Sequence, residues 1–497
     1  MIGFTRLVLD EIYECEGHSM KTRRVVFSVI ALLTIALGAS AQRPDTVTQV
    51  VEGIEAQHQA YADVALQIWK YAETGYQEVK SSALLESKLE AAGFSIQKGV
   101  AEIPTAFVAS YGSGRPVIAF VGEYDALPGL SQEAVPEKKP VMAGAPGHGC
   151  GHNLLGTASM AAAVAVKDWL ASVHREGTVR YYGTPAEEGG EGKIYMVRAG
   201  LFRDVDVAIS WHPGDVNQAS TGSNLANISA KFRFHGIAAH AAAAPDKGRS
   251  ALDAVEAMDM MVNLMREHVP QETRIHYIIS NGGAAPNIVP DFAEVYYLAR
   301  HPDMQVLKGI WQRIIDAANG AALGTSTTMD MEILGGDYNI LPNAYLSGLQ
   351  NKNLQRLGGI KYTNEERAFA QALQRTMLGP VRPLGSEEQV QPQTSNITPA
   401  STDLGDVSWN VPTVGLSTAT WVPGTAAHTW QATACDGMTI GIKGMMLAAK
   451  TMALTGIDLF SDPVHIQKAR AEFDQRRGNA PYTPVIGDRK PPLDYRK

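Results

Sequence analysis

The chain has 497 residues, 45% of them hydrophobic and 19% charged, with a formal net charge of −8. That is ordinary globular material, of a length that implies two domains rather than one oversized core. With no block of Lys or Arg it lacks the electrostatic footprint of a nucleic-acid or anionic-membrane binder, so no nucleic acid and no membrane is expected as a partner.

In chain order, residues 20–24 form a basic start, 25–37 an apolar run, and Ala39-Ser40-Ala41 a small-residue cleavage site, the pattern of a secretory signal. The run is too short for a stable membrane anchor. Residues 1–41 are therefore expected to be leader and signal peptide, the mature chain to begin near Gln42, and the protein to be exported, periplasmic or secreted. Residues before Met20 carry no periodic pattern and read as an upstream start-site choice. Across 50–92, apolar residues at three- and four-residue spacing (Tyr61, Val64, Ala65, Ile68 and Trp69, then Leu84, Leu85 and Leu89) predict helices ended by Gly93.

Strand-like and helix-like units then alternate: a buried strand over 116–122, a long alanine-rich helix over 154–170, and strands over 178–183 and 205–211. This rhythm predicts an α/β fold with a mostly parallel sheet and helices on both faces, whose ligand sites lie beyond the carboxyl ends of the strands. After Thr221 the pattern becomes strand 227–234, helix 250–267, strands 274–280 and 294–300, helix 306–321 and strand 327–334. That is a small two-layer α+β unit inserted into the larger domain. After the polar stretch 379–399 come a buried strand over 413–417 and a helix over 441–455. From Gln475 onward the chain is polar and proline-rich, a surface wrap. The expected division is 42–221 and 341–497 for the catalytic domain and 222–340 for the insert.

Several short segments place metal-capable side chains at strand ends or at loop-to-helix junctions. In Gly147-His148-Gly149-Cys150-Gly151-His152-Asn153, two-residue spacing lets a thiolate and an imidazole face one point, and the glycines permit the tight backbone. Glu187 and Glu188 follow the strand 178–183; adjacent carboxylates point apart, so one suits a metal and the other proton transfer. His212 follows the strand 205–211, and His428 lies beyond the strand 413–417. One Cys, one Glu and three His, with a spare Glu, suffice for two ions. Taken singly, each has a bland reading: a buried Cys, a solvated acidic turn, a packed His. Cys15 precedes the signal, and a Cys150–Cys435 disulfide is open to an exported chain, but His148 and His152 beside Cys150 favour the metal reading. By spacing alone His240, Asn287 and Arg300 in the insert read as structural or surface residues, though their chemistry suits an oxyanion or a carboxylate.

The segments Gly122-Glu123-Tyr124-Asp125-Ala126-Leu127-Pro128, 147–153, 187–190, 236–241, 248–254, 401–409 and His428-Thr429-Trp430 together resemble the M20 metallopeptidase and aminoacylase family. The resemblance covers nearly everything after the signal and falls in the branch that contains p-aminobenzoyl-glutamate hydrolase. It implies Cys150, His152, Glu188, His212 and His428 as metal ligands, Glu187 as general acid/base, and Asp125 as the group orienting a ligand. It implies that the insert is a dimerisation lid, so a homodimer in which His240 reaches the partner's site while Asn287 and Arg300 hold the substrate. It also implies a metal-dependent amidohydrolase carrying two divalent ions, Zn²⁺ first because of the thiolate, with Mn²⁺ or Co²⁺ open. The expected substrate is an N-acyl amino acid such as p-aminobenzoyl-glutamate. The export signal departs from a cytoplasmic scavenger, which keeps a dipeptidase or N-acyl-amino-acid deacylase as an alternative. A chain that needs a related second subunit for activity is the other.

Overall fold

The computed structural model describes residues 45–496. The signal, the start near Gln42 and Cys15 lie outside the described residues. The first part of the chain supplies strands β1 (Ser95–Lys98), β2 (Phe107–Ser113), β3 (Val117–Gly122), β4 (Gly177–Gly183), β5 (Val207–Ile209), β6 (His212–Gly214), β7 (Gln218–Ala219) and β8 (Ser223–Asn224). Next come β9 (Ala226–His235), β10 (Arg274–Asn281), β11 (Phe292–His301) and β12 (Thr328–Gly335), followed by β13 (Ile397–Thr398), β14 (Thr413–Val414) and β15 (Leu416–Ala419).

The six-stranded sheet has the order β1-β2-β4-β3-β5-β14. Its β4, β3, β5 and β14 run parallel, and β2 and β1 form an antiparallel edge. Strands buried on both faces read as continuous apolar runs, and this is why 117–122 shows no alternation. Ile118, Phe120, Val179 and Tyr181 face a core shared with the helices His152–Val173 and Thr439–Ser461. Val117, Ala119, Val121 and Tyr182 face the opposite core, with Ile194 and Met196 of the helix Gly192–Arg198.

The inserted unit has the sheet order β10-β11-β9-β12, all antiparallel. Helices Ala251–Met265 and Met304–Thr325 bury one face of it, packing Val255, Met258, Leu307 and Ile314 on Phe232, Phe234, Val295 and Tyr297. Both helices start on a side-chain cap: Ser250 accepts from the Asp253 N–H, and Asp303 from those of Gln305 and Val306. Such a cap contributes about 1 kcal/mol. The other face is polar; there Arg233 and Lys231 pair with Glu294 at 2.8 and 3.0 Å.

Several expectations need correction. The strand expected over 205–211 is only β5; the chain then leaves the large sheet, and His212 begins β6, which pairs with β15 in a separate sheet. Pro213 has no N–H to donate, which keeps β6 short. The strand expected over 413–417 is two strands in two sheets, parted at Gly415. The helical run 50–92 is three helices, Thr46–Ala56, His58–Tyr71 and Val79–Ala91. Strands β1 and β2 were not expected from the sequence, because an antiparallel edge rich in Ser, Gly and Gln carries little apolar signal. The stretch from Gln475 is more than a surface wrap: Ile486 is buried, and Tyr495 stacks edge-on against Tyr76.

Candidate metal centre

The centre lies beyond the carboxyl ends of the parallel strands. After β3 the chain passes through Glu123, Tyr124 and Asp125, all buried. Cys150 sits one residue before Gly151, whose left-handed φ of 75° sets up the helix that starts at His152. A Cβ at Gly151 would stand 2.7 Å from the Pro213 ring, so the turn carrying Cys150 needs glycine to lie against the His212 strand. After β4, Ala186 adopts a left-handed φ of 58° and its N–H donates to Glu78 Oε1 at 2.8 Å. That bend sends Glu187 and Glu188 in different directions. His428, also left-handed at φ 60°, donates its N–H to the Gly149 carbonyl at 2.8 Å and so ties its loop to the Cys150 turn. Non-glycine residues in this region store strain, a cost typical of functional sites.

Donor atoms of Cys150, His152 and His212 lie within 4.8 Å of one another, as do those of Cys150, Glu188 and His428. Cys150 belongs to both groups, so its sulfur could serve an ion in either. Its Sγ lies 3.5 Å from His212 Nε2, while His212 Nδ1 donates to the Pro213 carbonyl at 2.8 Å. Asp125 Oδ1 accepts from His152 Nδ1 at 2.9 Å, and its Oδ2 accepts from the Glu188 N–H at 2.9 Å. One carboxylate thus orients one imidazole, which turns Nε2 inward, and the backbone of the neighbouring acid. His428 Nε2 lies 3.1 Å from Glu188 Oε1.

Burial opposes ionisation of Glu188, but the hydrogen bond from His428 and the charge of His152 outweigh it and leave the carboxyl below its ordinary value. Burial, then the charges of Glu123 and Glu188, push the Glu187 carboxyl well up. Burial also pushes the Cys150 thiol up and, with the charge of His152, pushes His212 down. Glu123 Oε2 and His152 Nε2 are buried without a hydrogen-bond partner. Leaving such atoms unpaired is costly, and a thiolate, three imidazoles and carboxylates around them form a donor set that fits divalent ions.

Comparison with known proteins agrees with this geometry. Residues 224–325 match the model of the peptidase dimerisation domain of M20 proteins. Over 458 residues the chain is 44% identical to a subunit of the p-aminobenzoyl-glutamate hydrolase of Escherichia coli, covering 87% of this chain and 95% of that protein. The chain belongs to the M20 family of metallopeptidases and amidohydrolases. As an M20 protein it is a hydrolase of amide bonds. It is also 32% identical over 422 residues to the mouse Xaa-Arg dipeptidase, covering 82% of this chain and 87% of that one. Its fold matches that of a dinuclear metal-binding M20 peptidase from Bacillus subtilis, with a TM-score of 0.59, 16% identity and coverage of 82% of this chain and 99% of that one.

Not every residue singled out in the sequence of this M20 chain joins the centre. His148 does not: its Nε2 meets the Ile68 carbonyl at 3.1 Å, and burial pushes its imidazole down to about 3. His240 and Asn287 sit together on an exposed part of the insert, where the Asn287 carbonyl accepts the Ala241 N–H at 3.0 Å. His240 Nδ1 accepts from the Ala242 and Ala243 N–H groups, so its Nε2 carries the proton and is free to donate. Arg300 lines a cavity of about 610 Å³ with Arg274, His276 and Leu298. Among the described residues no hydrogen bond or ion pair links these three to the metal-capable cluster. Sequence reasoning missed Glu78, Lys193 and Asp403, and gave Glu123 no role. Glu123 stands in the quoted Gly-Glu-Tyr-Asp-Ala-Leu-Pro segment and Asp403 in the quoted 401–409, so a signal existed for both; Glu78 and Lys193 lie outside the quoted segments and reach the site only on folding.

Proposed function

We propose that this M20 hydrolase cleaves the amide bond of an N-acyl amino acid, p-aminobenzoyl-glutamate being the first candidate, at a centre of two divalent ions. The observation that carries this is the pair of donor groups sharing Cys150, with the Glu187 carboxylate beside His152. The name of the Escherichia coli relative supplies the candidate substrate. In this reading Cys150, His152, Glu188, His212 and His428 hold the ions, and the thiolate favours Zn²⁺. Bound there, the ions lower the pKa of water and polarise the carbonyl.

Glu187 takes the proton of the attacking water and returns it to the departing nitrogen, which would otherwise leave as a costly anion. Asp125 keeps His152 turned toward the centre. His240, its Nε2–H pointing outward, donates to the oxyanion of the partner subunit's site in a homodimer, while Asn287 and Arg300 hold the carbonyl and the carboxylate. The protein is exported, and its mature N-terminus is near Gln42; N-terminal sequencing of the recovered protein tests this.

The similarity to the Xaa-Arg dipeptidase favours a second reading, a dipeptidase. One experiment separates the two: the chain from Gln42 is loaded with Zn²⁺ or Mn²⁺ and given a panel of N-acyl-glutamates and dipeptides, beside Glu187→Ala. Turnover of N-acyl-glutamates that Glu187→Ala abolishes, with metal content unchanged, is the expected result. Cleavage of dipeptides alone selects the second reading. Turnover only after a related second subunit is added assigns this chain a partner's part.

A further inference from the structure

The M20 chain buries a lysine next to its candidate centre. Lys193 is 0% exposed, and its Nζ lies 2.7 Å from Glu123 Oε1 and 2.5 Å from Asp403 Oδ1. Its own N–H donates to Asp403 Oδ2 at 2.8 Å. Burial works against the ammonium, but Asp403 and Glu123 hold its pKa above the ordinary value. The three groups come from the end of β3, from the helix Gly192–Arg198 and from the start of the helix Leu404–Ser408.

Taking three charges out of water is costly, and such a cluster is weak evidence for stability in itself. A staple between the two parts of the domain needs only Lys193 and Asp403, since both oxygens of Asp403 already serve Lys193. Glu123 is surplus to that staple. Its second oxygen, Oε2, is buried without a hydrogen-bond partner and lies 3.2 Å from His152 Nε2. Carboxylate oxygens of Glu123 and Glu187 and a ring nitrogen of His152 all fall within 4.8 Å of one another.

We propose that Glu123 is a positioning residue of the centre, clamped by Lys193 and Asp403 so that its free oxygen fixes a negative charge beside His152 and Glu187. With Oε1 tied to Lys193, the Glu123 side chain cannot rotate away, and Oε2 stays 3.2 Å from His152 Nε2. This rests on the metal centre proposed above and not on the hydrolysis of any one substrate.

The test is Glu123→Gln, which keeps the shape and leaves Lys193 and Asp403 as a neutral pair. Its amide presents an N–H donor where the centre had an acceptor. Chelator competition on the purified protein is expected to show one of two Zn²⁺ ions held about 10- to 100-fold more weakly, the usual reach of groups behind metal ligands. At saturating Zn²⁺, kcat is expected to fall at least about tenfold with KM unchanged. The melting temperature is expected not to fall. Lys193→Arg, which keeps the charge, is expected to restore more Zn²⁺ affinity than Lys193→Met. Wild-type Zn²⁺ affinity and wild-type kcat in Glu123→Gln would overturn the proposal and leave the cluster a staple. If the wild-type chain hydrolyses nothing, the proposed function fails, yet the chelator measurement still decides the role of Glu123.

Discussion

Cys150 stands in both metal-capable groups, whereas His212 and His428 each stand in one. Cys150→Ala is therefore expected to lose both ions, and His212→Ala and His428→Ala one ion each; metal analysis after dialysis reads this directly, and equal losses in all three variants would contradict a donor shared by the two groups. A second residue-scale expectation concerns the insert. Tyr297 donates to Asp259 within its core, and burial pushes the Asp259 carboxyl up from 3.8 to about 6. In that interval the unfolded chain releases a proton that the folded chain keeps. The stabilising contribution is thus complete below 3.8 and lost as pH rises through about 6. Asp259→Asn should melt higher than wild type above that window and match it below; thermal melts across pH 3 to 8 test the sign. Two-residue spacing and flanking glycines made Cys150 and His152 legible in the sequence. Lys193 was not legible, because a lysine looks solvent-exposed until Glu123 and Asp403 are seen to enclose it.

At the scale of elements, the candidate centre is built on loops and on the first residues of a helix and a short strand, and close backbone packing fixes such junctions. A Cβ on Gly405 would stand 1.8 Å from the Tyr338 carbonyl oxygen, where the chain leaving β12 meets the helix Leu404–Ser408. Gly405→Ala should destabilise by about 1–3 kcal/mol, the usual range for overpacking, seen as a lower midpoint in urea; an unchanged midpoint would mean that this junction yields freely. Periodicity located the long helices and the strands of the insert within a few residues, because each buries a regular apolar face. It failed at β5 and β14, where the chain changes sheets. That transfer is a matter of which strands are neighbours in space, and a sequence pattern holds no record of neighbours.

Across the whole molecule, the matched dimerisation domain leaves apolar side chains uncovered. Met260 and Leu264 on the helix Ala251–Met265, and Ile278 on the edge strand β10, are each more than 60% exposed. An exposed edge strand and an apolar helix face are the surfaces a second copy would cover. If the proposed homodimer forms through this face, the double change Met260→Lys with Leu264→Lys should give a monomer in sedimentation and lower turnover, since in that proposal His240 would then lack a partner site to reach. A dimer that persists unchanged would place the interface elsewhere.

The family, the two-part architecture and the identities of the metal-capable side chains follow from the sequence by itself, because short motifs and apolar periodicity are local properties of the chain. Only the tertiary structure showed that Cys150 belongs to two donor groups, that His148 turns away to a backbone carbonyl, and that Lys193 joins Glu123 to Asp403. These are distances between residues far apart in the chain, and they exist only once the strands have set their loops on one edge of the sheet.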